Sequence, residues 1–165
     1  MGHTAMGRSS RHLSETIDDG KTDMRVLVVD DDPDVRRLCG MNLAWDGHEI
    51  IEASGGAEGL ALLTSEAPDV VLLDVMMPNI DGIEALRRIR QSEETEDLPV
   101  VLISARVGIE DQIEGWAAGA DGYITKPFAP SDLTGALREA RTLGPDARKT
   151  EREARLRQLT EHVVT

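Results

Sequence analysis

The chain has little of what disulfide scaffolds, membrane proteins and nucleic-acid binders are built from. It carries one cysteine, Cys39, in 165 residues. No intrachain disulfide framework and no cysteine cluster for zinc can therefore form. Cys39 falls in a helical pattern and reads as a small buried apolar residue rather than a reactive thiol. No apolar run approaches the roughly 18 residues of a membrane span, and the N-terminus lacks a signal-type apolar core. The expectations are no membrane association and a cytoplasmic location. Basic charge is also scarce, with 18 Lys and Arg against 31 Asp and Glu and a net charge of -13. Phosphate contacts need clustered Lys and Arg, so direct nucleic-acid binding is not expected. An acidic surface disfavours anionic membranes and otherwise serves solubility.

What remains is an ordinary globular balance, 40% hydrophobic and 30% charged, enough for one domain with short extensions. Residues 1–23 are polar with no lasting apolar period and read as a disordered leader. His3 and His12 within it are too isolated to bind a metal. Arg25 to Val29 is a buried-strand run that ends in Asp30-Asp31-Asp32. Asp32-Pro33 then starts a helix, with an N-cap acceptor followed by proline at the first position. That helix carries Val35, Leu38, Cys39 and Leu43 on one face and stops at Asp46-Gly47. Ile50-Ile51 is a second strand, and a helix follows with Ala57, Leu60, Ala61 and Leu63 inward. Val70 to Leu73 is a third strand that runs straight into Asp74. Ile83, Leu86 and Ile89 mark the third helix, and Pro99 to Ile103 the fourth strand, ending in Ser104. Ile109, Ile113, Trp116 and Ala117 mark the fourth helix, and Tyr123 to Thr125 a short fifth strand ending in Lys126-Pro127. A fifth helix spans about 131–143. Five alternations with helix-length crossovers predict a parallel sheet wrapped on both faces.

Gly144-Pro145 breaks the pattern. Beyond it, Leu156, Leu159 and Val163 form one short apolar stripe. It fits a coiled-coil start and equally a helix lying on the domain.

Four strand ends bring polar groups to one edge of such a sheet: Asp30 and Asp31, Asp74, Ser104, and Lys126. Three crowded carboxylates raise one another's pKa unless a cation sits among them. Oxygen ligands of this kind suit a hard divalent ion, Mg²⁺ before Zn²⁺, which usually shares its sphere with a phosphate. A hydroxyl and an ammonium then complement phosphoryl charge, and a carboxylate can attack phosphorus to form an acyl phosphate. Asp32 reads as a cap rather than a ligand.

The segments VLVVDDDPDVRRL, DVVLLDVMMPNIDGIEALRRIR, PVVLISA and GADGYITKPF, in this order and spacing, resemble the receiver domain of two-component response regulators, the CheY-like superfamily. The resemblance covers residues 24–143 and leaves 144–165 as a helical extension or linker. It implies a doubly wound five-stranded (βα)5 sandwich of flavodoxin-like type with the strand order 2-1-3-4-5, which patterning alone does not give. It further implies that Asp74 is the phosphoacceptor and that Asp30 and Asp31 form the acidic pair, with Asp31 preferred as the direct Mg²⁺ ligand. The Met76 backbone carbonyl would complete the protein's share of the metal sphere. Ser104 and Lys126 would bind phosphoryl oxygens, Ser104 and Tyr123 would act as the switch, and the peptide before Pro127 would be cis. The implied donor is a sensor histidine kinase or a histidine phosphotransfer protein, and the only catalysis is the domain's own phosphorylation and dephosphorylation. Output is expected through the face of the fourth helix, fifth strand and fifth helix. Gly108 and Gly115 should make that fourth helix pliable. A homodimer through this face or the last helix is consistent with the pattern.

Two other classes fit less well. A flavodoxin-type cofactor binder would want a glycine- and hydroxyl-rich loop after the first strand, where three aspartates would repel a bare phosphate. A phosphatase of the haloacid-dehalogenase type would want an acid where Met76 stands. Between a stand-alone receiver and one excised from a longer regulator with an enzymatic or DNA-binding effector, the residues do not choose.

Overall fold

The structure, a computed structural model, describes residues 23–164. The leader expected over 1–23 lies, but for its last residue, outside the described residues. The elements run β1 (Arg25–Val29), α1 (Pro33–Trp45), β2 (Glu49–Ala53), α2 (Gly56–Glu66), β3 (Val70–Asp74), α3 (Gly82–Gln91), β4 (Val100–Ser104), α4 (Ile109–Ala118), β5 (Gly122–Thr125), α5 (Pro130–Thr142) and α6 (Pro145–Val164). All strand pairings are parallel, in the order β2-β1-β3-β4-β5. This is the doubly wound order for which flavodoxin and the chemotaxis receiver are the standing examples.

β3 is central, and all five of its residues are buried. Strands covered on both faces need continuous apolar runs rather than alternation, and β1, β3 and β4 have them. Successive side chains divide between two cores. Leu27, Val29, Val71, Leu73 and Leu102 pack with Leu63, Ile83, Leu86 and Ile89 of α2 and α3. Val26, Val28, Val70, Leu72, Val101 and Ile103 pack with Cys39, Leu43, Leu133 and Leu137 of α1 and α5. Burial pushes the Cys39 thiol up to about 11, with the charge of Asp30 behind it, so it stays protonated and inert.

The inward faces of three helices differ from those expected. Leu38 is 53% exposed, because the buried face of α1 centres on Cys39, Gly40 and Leu43. At roughly 100° per residue, Leu38 points to the opposite side. In α2 it is Gly56, Gly59 and Leu63 that are buried, while Ala57 and Ala61 face solvent. Gly59 sets this face, since a Cβ there would stand 3.0 Å from Val29. In α4 the buried residue is Gly115, Ile109 and Ala117 are exposed, and Trp116 is half-buried.

The last helix lies on the domain and packs against α4. Among the described residues no helix is long and apolar enough to cross a membrane.

Candidate functional site

The strand order sets the geometry of the carboxyl edge. Asp74 ends the central strand, with Asp30 and Asp31 following its neighbour β1 and Ser104 ending its other neighbour β4. Lys126 follows β5, one strand further out. The Asp30, Asp31 and Asp74 carboxylates each place an oxygen within 4.8 Å of the others. Asp30 and Asp74 are buried, and Asp31 is exposed at the mouth. Lys126 Nζ lies 3.3 Å from Asp30 Oδ2 and 3.3 Å from Asp74 Oδ1. One ammonium thus serves two buried carboxylates, with a third beside them.

That imbalance appears in the titration of the group at its centre. Burial pushes Asp74 up to about 6, and the neighbouring charge of Asp30 pushes the same way. Lys126 and the Met76 amide pull down without cancelling it. For Lys126, burial alone would lower the pKa, but Asp74 and Asp30 outweigh it and hold the ammonium above its ordinary value. Lys126 therefore stays charged, while Asp74 is poorly compensated until more positive charge arrives.

Local contacts fix each group. Asp30 Oδ1 accepts the Asp32 N–H at 2.9 Å, and Arg36 donates to the Asp30 carbonyl at 2.8 Å. Asp32 caps α1, accepting the Asp34 N–H at 2.9 Å. Asp81 caps α3 through the Glu84 N–H at 2.8 Å. The Lys126–Pro127 peptide is cis.

Ser104 is fully buried, and its Oγ accepts the Arg106 N–H at 3.0 Å. Tyr123 donates its hydroxyl proton to the Arg106 carbonyl at 2.9 Å. Arg106 thus links the ends of β4 and β5 through its backbone. Sequence reading missed it, because the atoms it contributes are common to every residue. The edge therefore gathers Asp30, Asp31, Asp74 and Lys126 into one cluster, with Ser104 and Tyr123 joined beside it through Arg106. Chemically, this is a buried carboxylate with two further acids beside it, together able to hold a hard cation, and an ammonium able to pair with anionic oxygens.

A family profile described as "Response regulator receiver domain" matches residues 26–138. The chain is 39% identical over 114 residues to the DNA-binding dual master transcriptional regulator RpaA of a Synechocystis species, covering 69% of this chain and 47% of that protein. It is 42% identical over 115 residues to the response regulator MprA of Mycolicibacterium vanbaalenii, covering 70% and 49%. The chain therefore spans about half the length of the curated relatives it matches. Among solved structures, a putative response regulator from Chloroflexus aurantiacus superposes with a TM-score of 0.71 at 33% identity, covering 73% of this chain and 99% of that one. The chemotaxis protein CheY4 of Vibrio cholerae gives 0.68 at 31%, covering 72% and 98%.

Proposed function

Since the chain belongs to the response-regulator receiver family, we propose that Asp74 is its phosphoacceptor, loaded from a phosphohistidine with Mg²⁺ at the acidic cluster. The observation that carries this reading is the position of Asp74. It is a carboxylate only 3% exposed, at the end of the central strand, 3.3 Å from Lys126 and beside Asp30 and Asp31. An Asp74 oxygen lone pair forms the new O–P bond. The P–N bond to the donor imidazole breaks, and its electron pair stays on the imidazole. Lys126 balances charge on the phosphoryl oxygens, and the Ser104 hydroxyl is the neutral donor of the set.

The donor set fits a hard divalent cation, being all oxygen, with three carboxylates against the one Lys126 ammonium and so short of two positive charges. Asp30, Asp31, Asp74 and the Met76 carbonyl are the groups that would hold it. Bound there, Mg²⁺ would supply charge neutralisation of the phosphoryl group. Forming the acyl phosphate at Asp74 would need no histidine or cysteine base, since a carboxylate attacks already ionised.

Phosphorylation would then act as a two-state switch with Ser104 and Tyr123 as its moving parts, since a few kcal/mol of differential binding moves such an equilibrium. The partners this reading implies are a sensor histidine kinase or a histidine phosphotransfer protein as donor, acting in the cytoplasm. In a longer regulator of the RpaA kind, the same switch would govern DNA binding by another domain.

Incubation with Mg²⁺ and acetyl phosphate should give one acid-stable, base-labile phosphoryl adduct by intact mass. Equal labelling of Asp74→Asn would refute the assignment. Calorimetric Mg²⁺ titration of Asp31→Ala should show lost binding, and an unchanged isotherm would remove the acidic pair from the site.

A further inference from the structure

The last helix docks through one anion. Asp121, in the turn before β5, has a side chain with no exposure. Its Oδ2 accepts from Arg90 at 2.9 Å, Arg148 at 3.0 Å and the Val100 N–H at 2.9 Å. Its Oδ1 accepts from Arg152 at 2.6 Å. Arg90 belongs to α3, whereas Arg148 and Arg152 belong to α6. Arg148 is 5% exposed and also donates to the Asp97 carbonyl at 2.5 Å. One turn beyond, the Arg155 guanidinium lies over the Trp116 ring of α4, 5.6 Å from its centroid.

This is a dock built to open. If α6 leaves, Asp121 keeps Arg90 and the Val100 amide, so no buried charge is stranded, which is the usual large cost of parting such a pair. Arg148 and Arg152 pass into water, where guanidinium is well solvated. Three guanidiniums share one carboxylate. Burial, with the like charges of Arg152 and Arg148, pulls Arg90 down to about 10 despite Asp121. The apolar share of the contact is small, with Leu156 and Leu159 half-buried and Val163 52% exposed. Packing beneath the helix is incomplete. A cavity of about 230 Å³ lies there, lined by Gln112, Trp116, Tyr123, Glu139, Arg148 and Arg155 among others, and the indole N–H of Trp116 is buried without a partner.

The same short strand joins this dock to the sheet edge. Asp121 precedes β5, Lys126 follows it, and Tyr123 lies between. Tyr123 lines the cavity under α6, packs against α4 at Gly115, where a Cβ would stand 3.1 Å from its ring, and bonds to Arg106 beside Ser104. A displacement of Tyr123 therefore changes the wall on which α6 rests.

We propose that α6 is a cis-acting clasp on the α4–β5 surface, seated through Asp121 and Trp116 in the unphosphorylated protein and released when Asp74 is phosphorylated. It rests on the Asp74 reading. The clasp occupies the surface that a partner or second copy would otherwise reach, so the switch would act by uncovering α4 as well as by reshaping it.

The test is hydrogen exchange by mass spectrometry on the full chain, with Mg²⁺ alone and with Mg²⁺ plus beryllofluoride. Arg152→Ser/Arg155→Ser should exchange the amides of residues 146–160 at least about tenfold faster than wild type, with the sheet unchanged. Beryllofluoride should speed the same amides in wild type and leave Asp74→Asn unaffected. By reciprocity, the double variant should bind beryllofluoride tighter by the factor with which its clasp is loosened. If the loops at 75–81 and 105–108 slow with beryllofluoride while 146–160 stay as protected as before, the clasp is overturned and the phosphoacceptor reading stands. If neither region responds, the phosphoacceptor reading fails and the coupling fails with it. A double variant as protected as wild type would show that these arginines do not seat the helix.

Discussion

Asn in place of Asp74 should stabilise the metal-free protein. Asp74 is raised from 3.8 to about 6 by burial and by Asp30, against the pull of Lys126. At about 1.4 kcal/mol for each tenfold, the ionised folded state carries about 3 kcal/mol that the unfolded chain does not. The folded value lies above the unfolded one, so the stability is fully present below about 3.8 and is lost as pH rises through about 6. Asparagine keeps the shape and an acceptor for Lys126 but has no charge to desolvate. Allowing for a weaker bond to Lys126, Asp74→Asn should gain about 2 kcal/mol in EDTA at pH 7.5 and nothing at pH 3.5. Urea unfolding followed by circular dichroism reads this directly. With m of about 1–3 kcal/mol/M, the midpoint should move up by about 1 M. Saturating Mg²⁺ should close most of the gap by binding the wild-type carboxylates. Equal midpoints in EDTA at pH 7.5, or a gap that persists unchanged at pH 3.5, would refute the charge imbalance.

Two further outcomes follow from packing and burial. Leu43→Ala should cost about 2–5 kcal/mol, because Leu43 is fully buried between α1 and the sheet. Leu38→Ser on the same helix should stay within about 0.5 kcal/mol; chemical denaturation separates the two, and similar losses would mean that α1 is rotated. Burial holds His48 below its ordinary 6.5, against the charges of Asp46 and Asp23, while its Nδ1 accepts the Met24 N–H at 3.1 Å. Its contribution is present above 6.5 and lost as pH falls through the lower folded value, so wild type should lose more stability than His48→Asn between pH 7 and pH 5. Parallel profiles would place His48 in water.

How legible each part was depended on whether its contacts use side chains with a distinctive pattern. β1, β3 and β4 announced themselves, because strands covered on both faces must be continuously apolar and a polar residue, Asp30, Asp74 or Ser104, breaks each run sharply. Parallel topology then brings Asp30, Asp31, Asp74 and Lys126 to one edge. The inner faces of α1, α2 and α4 were less legible, since glycine carries part of each. A search for large apolar residues at helical spacing passes over Gly40, Gly59 and Gly115 and selects Leu38, Ala57 and Ala117 instead. The seat of α6 was invisible for another reason. Its decisive contacts are arginines, which look like an ordinary solvated helix face, converging on an aspartate that looks like a helix terminator.

The placement of Asp74 itself depends on a residue with no chemistry. The first residue of α3, Gly82, donates its N–H to the Val75 carbonyl at 2.8 Å, and a Cβ on it would collide with the Asp74 carbonyl. The N-terminus of α3 therefore lies directly against the backbone that carries the proposed phosphoacceptor, with Asp81 capping it from outside. Any larger residue at 82 must push the helix or the β3 end aside. The carboxylate would then move relative to Lys126 just after β5 and Asp30 just after β1, which are held by their own strands. Charge compensation at 3.3 Å on two sides tolerates little of that movement. The Asp81-Gly82 pair is thus as much a part of the site as the acids, acting through backbone position alone.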